Sequence, residues 1–574
     1  MTDSTTRDFD LIVVGGGIAG LSAAHYWITD VNRDARILIV ERSAQIGGPA
    51  IQHTFDVDGQ QLISPGGAQE LTFPSSFAPA VESALSGLGV DLDRFFSDAA
   101  PDHYAEHGAG RYGFAFAESI WGRSHLVPSG DRTGFASAPI ALRARREVAA
   151  LIAEPTDWLD GRTDADKLTA LRGRTCDRLL RDFASLDDDT HRFLRYSTSA
   201  HSGMTFDQHP ALDAALIGYP GLDGLGLRPE GAPWAGLTRT GKRFFPHLDP
   251  PIFRFPDGNA TIARAIAHRL VPDLFDAATV DDRITAAMAS DALDRPENQV
   301  RIRLNSTAVN ARHDGPDGVL VEVESADGET TTCRARAAIV AAPASTAARL
   351  VPELEQEQRA TAASLGRYPI VSASVVLRNW RAWHSLGISR ISWPGHPTWQ
   401  SAGLEFPVYI GAFAPSASPE APITATVLGA LTAAGVSPAA GAAAGRRRLV
   451  APGARSDLSA ELRRLLGEAL APGGFDADRD IADARIEVWP QGYARYSTSC
   501  DRAGDGSATA EAKRQLAAGA GRIAIASVDV IDHPFLDGAM ESAHRAVSLL
   551  ADRCAADGPT ERPTTQTTRR TTEG

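Results

Sequence analysis

Three glycines at the spacing Gly15-x-Gly17-x-x-Gly20 constrain this chain more than any other feature, because of what stands on either side of them. Phe9 to Val14 (FDLIVV) is a short continuous apolar run, the pattern of a parallel strand buried on both faces. After Gly20, the stretch LSAAHYWI repeats its apolar residues at helical spacing, and Arg36 to Glu41 (RILIVE) reads as a second buried strand. Strand, glycine turn, helix and strand make one βαβ unit. In such a unit the first glycine permits the tight turn and the third lets helix and strand pack closely. The second lets the backbone approach a pyrophosphate, which sits on the open amides of the helix N-terminus. Gly15, Gly17, Ile18, Ala19 and Gly20 are therefore expected to bind a dinucleotide. Glu41 closes the second strand twenty-one residues after Gly20, where an acid accepts hydrogen bonds from a ribose and repels a 2′-phosphate.

Two glycine doublets extend the pattern. Gly47-Gly48 ends the loop that follows Glu41 and Arg42, and Pro65-Gly66-Gly67 offers another approach of small residues. Both let the chain pass close to a cofactor, the second beside an isoalloxazine ring. That favours FAD over NAD.

A chain of 574 residues is too long for one core. Strand patterns in the first forty residues, after Val300, and again at Arg522 to Ala526 return to one nucleotide-binding unit. The expected fold is α/β: a discontinuous Rossmann-type FAD-binding domain with an α+β substrate-binding domain. The first is assigned residues 1–76, 246–345 and 516–556. The second takes a largely helical segment at 77–245 and a sheet with helices at 346–515. Within these, Leu142 to Ile152, Asp166 to Phe183, Ser456 to Leu470 and Gly538 to Leu550 read as helices, and 301–315 as a strand. Residues 557–574, Thr, Arg and Pro with almost nothing apolar, read as a disordered tail.

The net charge of −14 argues against a nucleic-acid partner, which favours clustered basic surface. Cys176, Cys333, Cys500 and Cys554 are too scattered for a disulfide scaffold or metal cage, which fits a reducing, cytoplasmic compartment. The most membrane-like stretch, Ile423 to Val436, is short and flanked by prolines, so a buried element is expected rather than a membrane span. The partner is expected to be a small molecule, and the protein a monomer or homodimer.

VVGGGIAGL, IVERSAQIGG, GRIAIASVDV and DGAMESAHRAV together resemble the flavin amine oxidase superfamily. FDVDGQQLISPGG, PIFRFPDGNATIAR, LDRPENQVRIRLNST, VVLRNW and WPQGYARY make the chain similar to the spermidine-dehydrogenase-like branch. The resemblance implies an FAD enzyme that oxidises a polyamine or related amine. It places the adenine against Thr307 to Val309, Asp529 near the diphosphate and ribityl chain, and the helix containing Ala539 and Met540 at the flavin's pyrimidine end. Gln491, Tyr493 and Tyr496, from WPQGYARY, become candidate catalytic and substrate-wall residues, with Trp489 behind them. Asp257 and Asn259 of FPDGN read as turn and capping chemistry, and Glu70 could face a cationic amine. Pro49 and Gln491 depart from the family pattern, and no lysine stands between Lys242 and Lys513 for the usual place near flavin N5. An FAD enzyme that tailors a secondary metabolite, and a paralogue that binds FAD without catalysis, therefore stay open.

Overall fold

The computed structural model describes residues 8–130, 134–219, 221–227, 252–499, 501 and 507–556. Its strands, in chain order, are β1 (Phe9–Val14), β2 (Ile37–Val40), β3 (Gln52–Val57), β4 (Gln60–Pro65), β5 (Arg111–Phe116), β6 (His125–Pro128), β7 (Val300–Arg303) and β8 (Ser306–His313). Then come β9 (Val319–Ser325), β10 (Thr330–Val340), β11 (Arg367–Leu377), β12 (Ile388–Ser392), β13 (Ser401–Leu404), β14 (Ile423–Ala430), β15 (Ile481–Ala494) and β16 (Ile523–Ile525).

The first seven-stranded sheet runs β7-β2-β1-β10-β9-β8, with β16 added beside β10. β7, β2, β1, β10 and β16 are mutually parallel, while β9 and β8 return antiparallel. Both faces of the parallel part are covered, which is why its strands are apolar throughout rather than alternating. Leu11, Val13, Ile37 and Ile39 face the core shared with the helices Ile18–Tyr26, Ala260–Leu270 and Leu536–Ala556. Ile12, Val14, Leu38 and Val40 face the opposite core. Strands from the beginning, middle and end of the chain thus share one Rossmann-type sheet.

The second sheet runs β15-β11-β14-β13-β12-β5-β6, so β5 and β6 bring strands into it from the otherwise helical segment after residue 77. Trp380, Trp383, Trp393 and Trp399 are fully buried in its core. A β3–β4 hairpin lies between the sheets. Its Asp58-Gly59 turn has positive φ at both residues, the backbone a tight two-residue hairpin demands. Ser372 and Ser374 of β11 donate to the carbonyls of Gly66 and Pro65, docking the hairpin's end on the second sheet.

Three expected elements differ. The run 301–315 is two strands at opposite edges of the first sheet, because Asn305 takes φ +50° and turns the chain between β7 and β8. Asp166 to Phe183 is two helices, Asp164–Leu171 and Cys176–Phe183, parted at Gly173 (φ +70°) and restarted by a Thr175 cap. The last helix is longer than expected, Leu536–Ala556. Ile423 to Val436 contains β14, and no helix of the described residues is long and apolar enough to cross a membrane. The tail 557–574 lies outside the described residues.

Candidate functional site

The parallel strands end together. Val14 pairs with Val40 and Val340, and Val340 with Ile525, so the loops after β1, β2, β10 and β16 meet at one carboxyl edge. In open α/β sheets that edge is where ligands bind.

The glycine turn forms there for reasons visible in its contacts. Gly15 has φ +111°, and a Cβ on it would lie 2.4 Å from the Ala341 carbonyl oxygen. A Cβ on Gly20 would lie 1.8 Å from the Gly15 carbonyl oxygen, so only glycine lets the helix Ile18–Tyr26 start so close to the turn. Gly17 is different. Its φ of −76° suits any residue, and the nearest atom to an added Cβ is Gly48 Cα at 3.7 Å. The helix has no side-chain cap and no acid in its first turn, which leaves its N-terminus, carrying Ile18 and Ala19, open to an anion. Glu41 closes the other side: Gly16 N–H donates to its Oε2 at 2.7 Å, and Ser43 donates to Oε1 from both backbone and hydroxyl. Arg42 is exposed in the same loop. Gly47, at φ +101°, bonds the Gly16 carbonyl and brings Gly48 against Gly17. An uncapped helix end beside a glycine with room and a held carboxylate fits the diphosphate and ribose of FAD.

Val309 sits at a bulge in the β8–β9 ladder and is 41% exposed, an apolar side chain left uncovered by the protein. Asp529 is buried just after β16. Its carboxylate accepts from Ala344 N–H at 2.8 Å and from Arg367 Nε at 2.9 Å. At the last helix, Ala539 N–H bonds the Phe535 carbonyl, and Met540 is wholly buried in the core. The groups these two residues can turn toward a cofactor are correspondingly few.

Facing this edge is the end of β15. A Cβ on Gly67 would lie 2.4 Å from the Pro49 carbonyl oxygen and 3.1 Å from Trp489, and one on Gly66 would strike Ile51 and His53. Both glycines are thus required by contacts within the protein. Trp489 Nε1 donates to Ser372 Oγ at 3.2 Å. The Gln491 carbonyl accepts from Arg367, but its side-chain Oε1 is buried with no hydrogen-bond partner. The Tyr496 hydroxyl is likewise buried and unpartnered, and burial raises its pKa well above that of an ordinary phenol. Tyr493 packs edge-on to Phe535 at 6.3 Å and lies against Met204 and Tyr368. Lys167 and Lys513 are each taken by an aspartate, Asp157 and Asp532; Lys242 lies outside the described residues.

Sequence reasoning missed the charged groups beyond Gly67. Glu70 does not wait for a cation: Arg254 holds it in an ion pair. The Leu71–Phe253 bridge sets the two side by side, across a sequence gap no local pattern spans. Burial alone would raise the Glu70 pKa, but the charge and hydrogen bond of Arg254 bring it below the ordinary value. In FPDGN, Asp257 accepts from Thr261 N–H at 3.1 Å at the start of the helix Ala260–Leu270, and Asn259 donates to the Glu70 carbonyl at 3.2 Å. Capping and turn chemistry is present, yet Asp257 Oδ2 and Asn259 Oδ1 remain buried without partners.

Burial pushes the Asp257 carboxyl up to about 6, against the opposing Thr261 hydrogen bond and Arg264 charge. The folded chain therefore binds this proton more tightly than the unfolded chain. Stability on this account falls as pH rises from about 4 to about 6. Asp257→Asn, which cannot ionise, should gain on the native protein by up to about 3 kcal/mol between pH 4 and pH 7. Urea melts of both across that range measure it; a difference that does not change with pH would show that the carboxyl is not held neutral.

Residues 18–551 match the sequence profile of the family described as flavin containing amine oxidoreductase. No curated protein matches the chain in sequence. Among solved structures, a putrescine oxidase redesigned in its cofactor binding is similar at TM-score 0.54 and 15% identity, covering 95% of this chain and 99% of its own. Cyclohexylamine oxidase from Brevibacterium oxydans IH-35A is similar at TM-score 0.52 and 15% identity, with the same coverage. At such identities the likeness shows a shared fold. With the profile matched across nearly its whole length, the chain belongs to the flavin-containing amine oxidoreductase family and is an FAD-dependent oxidoreductase.

Proposed function

We propose that the protein oxidises the C–H bond next to an amine nitrogen, with hydride passing to flavin N5. Bound FAD supplies the two-electron acceptor. The chain's task is to orient the carbon, exclude water and favour the neutral amine, whose lone pair assists hydride departure. The observation that carries this reading is the open glycine cradle at the carboxyl edge, set opposite the β15 end that bears Gln491. Glu41, the first turn of the helix at Ile18 and Ala19, Val309 and Asp529 would hold the cofactor. Gln491 Oε1, buried and unpartnered, would accept from the amine N–H, and Tyr493 and Tyr496 would wall the substrate.

The polyamine implied by the sequence resemblance needs carboxylates facing its ammonium groups. Glu70, the acid the sequence offered for that role, is bound to Arg254. The deciding experiment is anaerobic. Spermidine, putrescine, monoamines and amino acids are added singly to the yellow protein, and the flavin absorbance is followed. Rapid bleaching by any of them supports amine oxidation; bleaching by dithionite alone would move the enzyme to a non-amine substrate.

Gln491→Leu removes a buried acceptor that has no partner, so folding should be unharmed. If the amide meets the amine, kcat/KM should fall by about tenfold or more, the loss of about one hydrogen bond to a polar group. Unchanged steady-state kinetics would remove Gln491 from the site.

A further inference from the structure

The β11–β15 ladder loses its register at two places, and one of them carries Gln491. Tyr368 pairs with Tyr493 and Ile370 with Trp489, so Pro490, Gln491 and Gly492 stand opposite Pro369 alone. Both prolines lack the N–H that a ladder needs. The Pro369 carbonyl is turned to the other neighbouring strand, accepting from Leu431 N–H at 3.0 Å just after β14. A Cβ on Gly492 would lie 2.8 Å from Trp489 Cβ and 2.9 Å from Ile370 Cβ, so only glycine lets the bulge fold this tightly.

Two guanidiniums take the carbonyls of the bulge. Arg446 donates from Nε to the Pro490 carbonyl at 3.1 Å and from a terminal nitrogen to the Arg367 carbonyl at 3.0 Å. Arg367 in turn donates to the Gln491 carbonyl at 3.2 Å. The planar fork of Arg446 thus spans both strands where their own pairing fails. It is delivered by the helix Pro438–Leu449, whose first turn Ser437 caps by accepting from Ala440 N–H. Gly441 and Gly445 share one face of that helix. A Cβ on them would come 2.6 Å from Thr432 Oγ1 and 1.8 Å from the Leu431 carbonyl oxygen, so the two glycines let the helix press against the chain after β14. Ala442, one turn before Arg446, is buried beside Met204 and Tyr368, with Tyr493 packed against them. One turn of helix therefore braces the bulge at both ends, at Tyr493 and at Pro490.

Bulges re-aim side chains and recur beside active sites. In this one the Gln491 Oε1 is buried without a partner among the described residues, an acceptor open to a ligand's donor. We infer that Arg446 is a positioning residue: it holds the bulge 490–492 in the shape that sets the Gln491 amide, and it acts on the reaction through Gln491 without touching substrate. The kinetic half of this statement rests on the amine-oxidising reading above; the hold on the bulge does not.

R446M removes both hydrogen bonds, and R446K keeps a donor for one of them. In the FAD-loaded protein, amide hydrogen exchange of the peptide covering 487–495 should quicken by about tenfold or more in R446M, with R446K in between. Kinetics are read with whichever of spermidine, putrescine, the monoamines and the amino acids bleaches the flavin fastest. R446M should lower kcat/KM by about fivefold or more at full FAD content, and R446K should recover part of the loss. The deciding comparison is made in Q491L. There R446M should add less than about a twofold loss, because the group it positions is already gone. Native exchange at 487–495 or native kcat/KM in R446M would overturn the inference. So would losses from R446M and Q491L that multiply, or native kinetics in Q491L, which would leave Arg446 nothing to act through. If R446M does not fold, R446K makes the same comparisons, with a loss of about twofold alone and none in Q491L. If no amine bleaches the flavin while exchange at 487–495 follows R446M and R446K as expected, the hold on the bulge stands and amine oxidation falls.

Discussion

Gly17→Ala should lower FAD affinity by about 100-fold, or ~2.7 kcal/mol, while leaving the fold of the apoprotein intact. The three glycines of the turn answer to different constraints, and Gly17 is the one that separates cofactor from fold. Gly15 cannot carry a side chain, because its φ is +111° and a Cβ would collide with the Ala341 carbonyl. Gly20 cannot either, with the Gly15 carbonyl 1.8 Å from where its Cβ would be. Alanine at those positions disturbs the sheet edge itself, and any lost FAD binding would be ambiguous. Gly17 has extended backbone at φ −76°, ψ −179°, and no protein atom nearer than 3.7 Å to the added carbon. Alanine there costs the native protein little and restricts the unfolded chain. What the methyl group occupies is the space through which a pyrophosphate approaches the uncapped helix. FAD titration by fluorescence quenching, with thermal melts of the apoprotein alongside, measures both halves. FAD bound as tightly as by the native protein would show that the diphosphate does not pass over Gly17.

Arg367→Met should destabilise the protein by about 3–5 kcal/mol, because it strands a buried carboxylate. The Asp529 side chain is 3% exposed, and Arg367 Nε reaches both of its oxygens, at 2.9 and 3.1 Å. The same guanidinium donates to the Gln491 carbonyl at 3.2 Å. Asp529 follows the last strand of the first sheet, while Arg367 opens β11 of the second. One side chain thus ties the cofactor edge to the strand that carries the candidate substrate residues. Removing both charges, Arg367→Met with Asp529→Asn, should recover much of the loss, since the amide still offers an oxygen to Ala344 N–H at the 2.8 Å contact and no longer needs a counter-charge. Denaturant melts of the two single variants and the double variant give the coupling directly. A loss below about 1 kcal/mol for Arg367→Met would mean that water compensates the carboxylate.

The sequence by itself determined the glycine turn and the strands of the first sheet. A glycine that must turn, a glycine that must pack and an acid at the end of the next strand are local facts, separated by a few turns of chain. Sterics and hydrogen bonding translate such spacing directly into backbone. The same holds for the strands buried on both faces, whose unbroken apolar runs have no other low-energy home. Where a local rule was overridden, a single residue did it: Asn305, bonded from its N–H to the Ser43 carbonyl, splits one apparent strand into two that lie at opposite edges of a sheet.

Only the tertiary structure decided the partners of the buried charges. Glu70 looked available to a cation until Arg254, 184 positions away, was seen to hold it. Asp529 and Arg367 stand 162 positions apart. Charge interactions depend on distance in space and on burial, and sequence spacing carries neither across a crossover between sheets. The glycine turn is written in neighbouring residues, whereas its charged surroundings are set by which distant side chains the two sheets bring together.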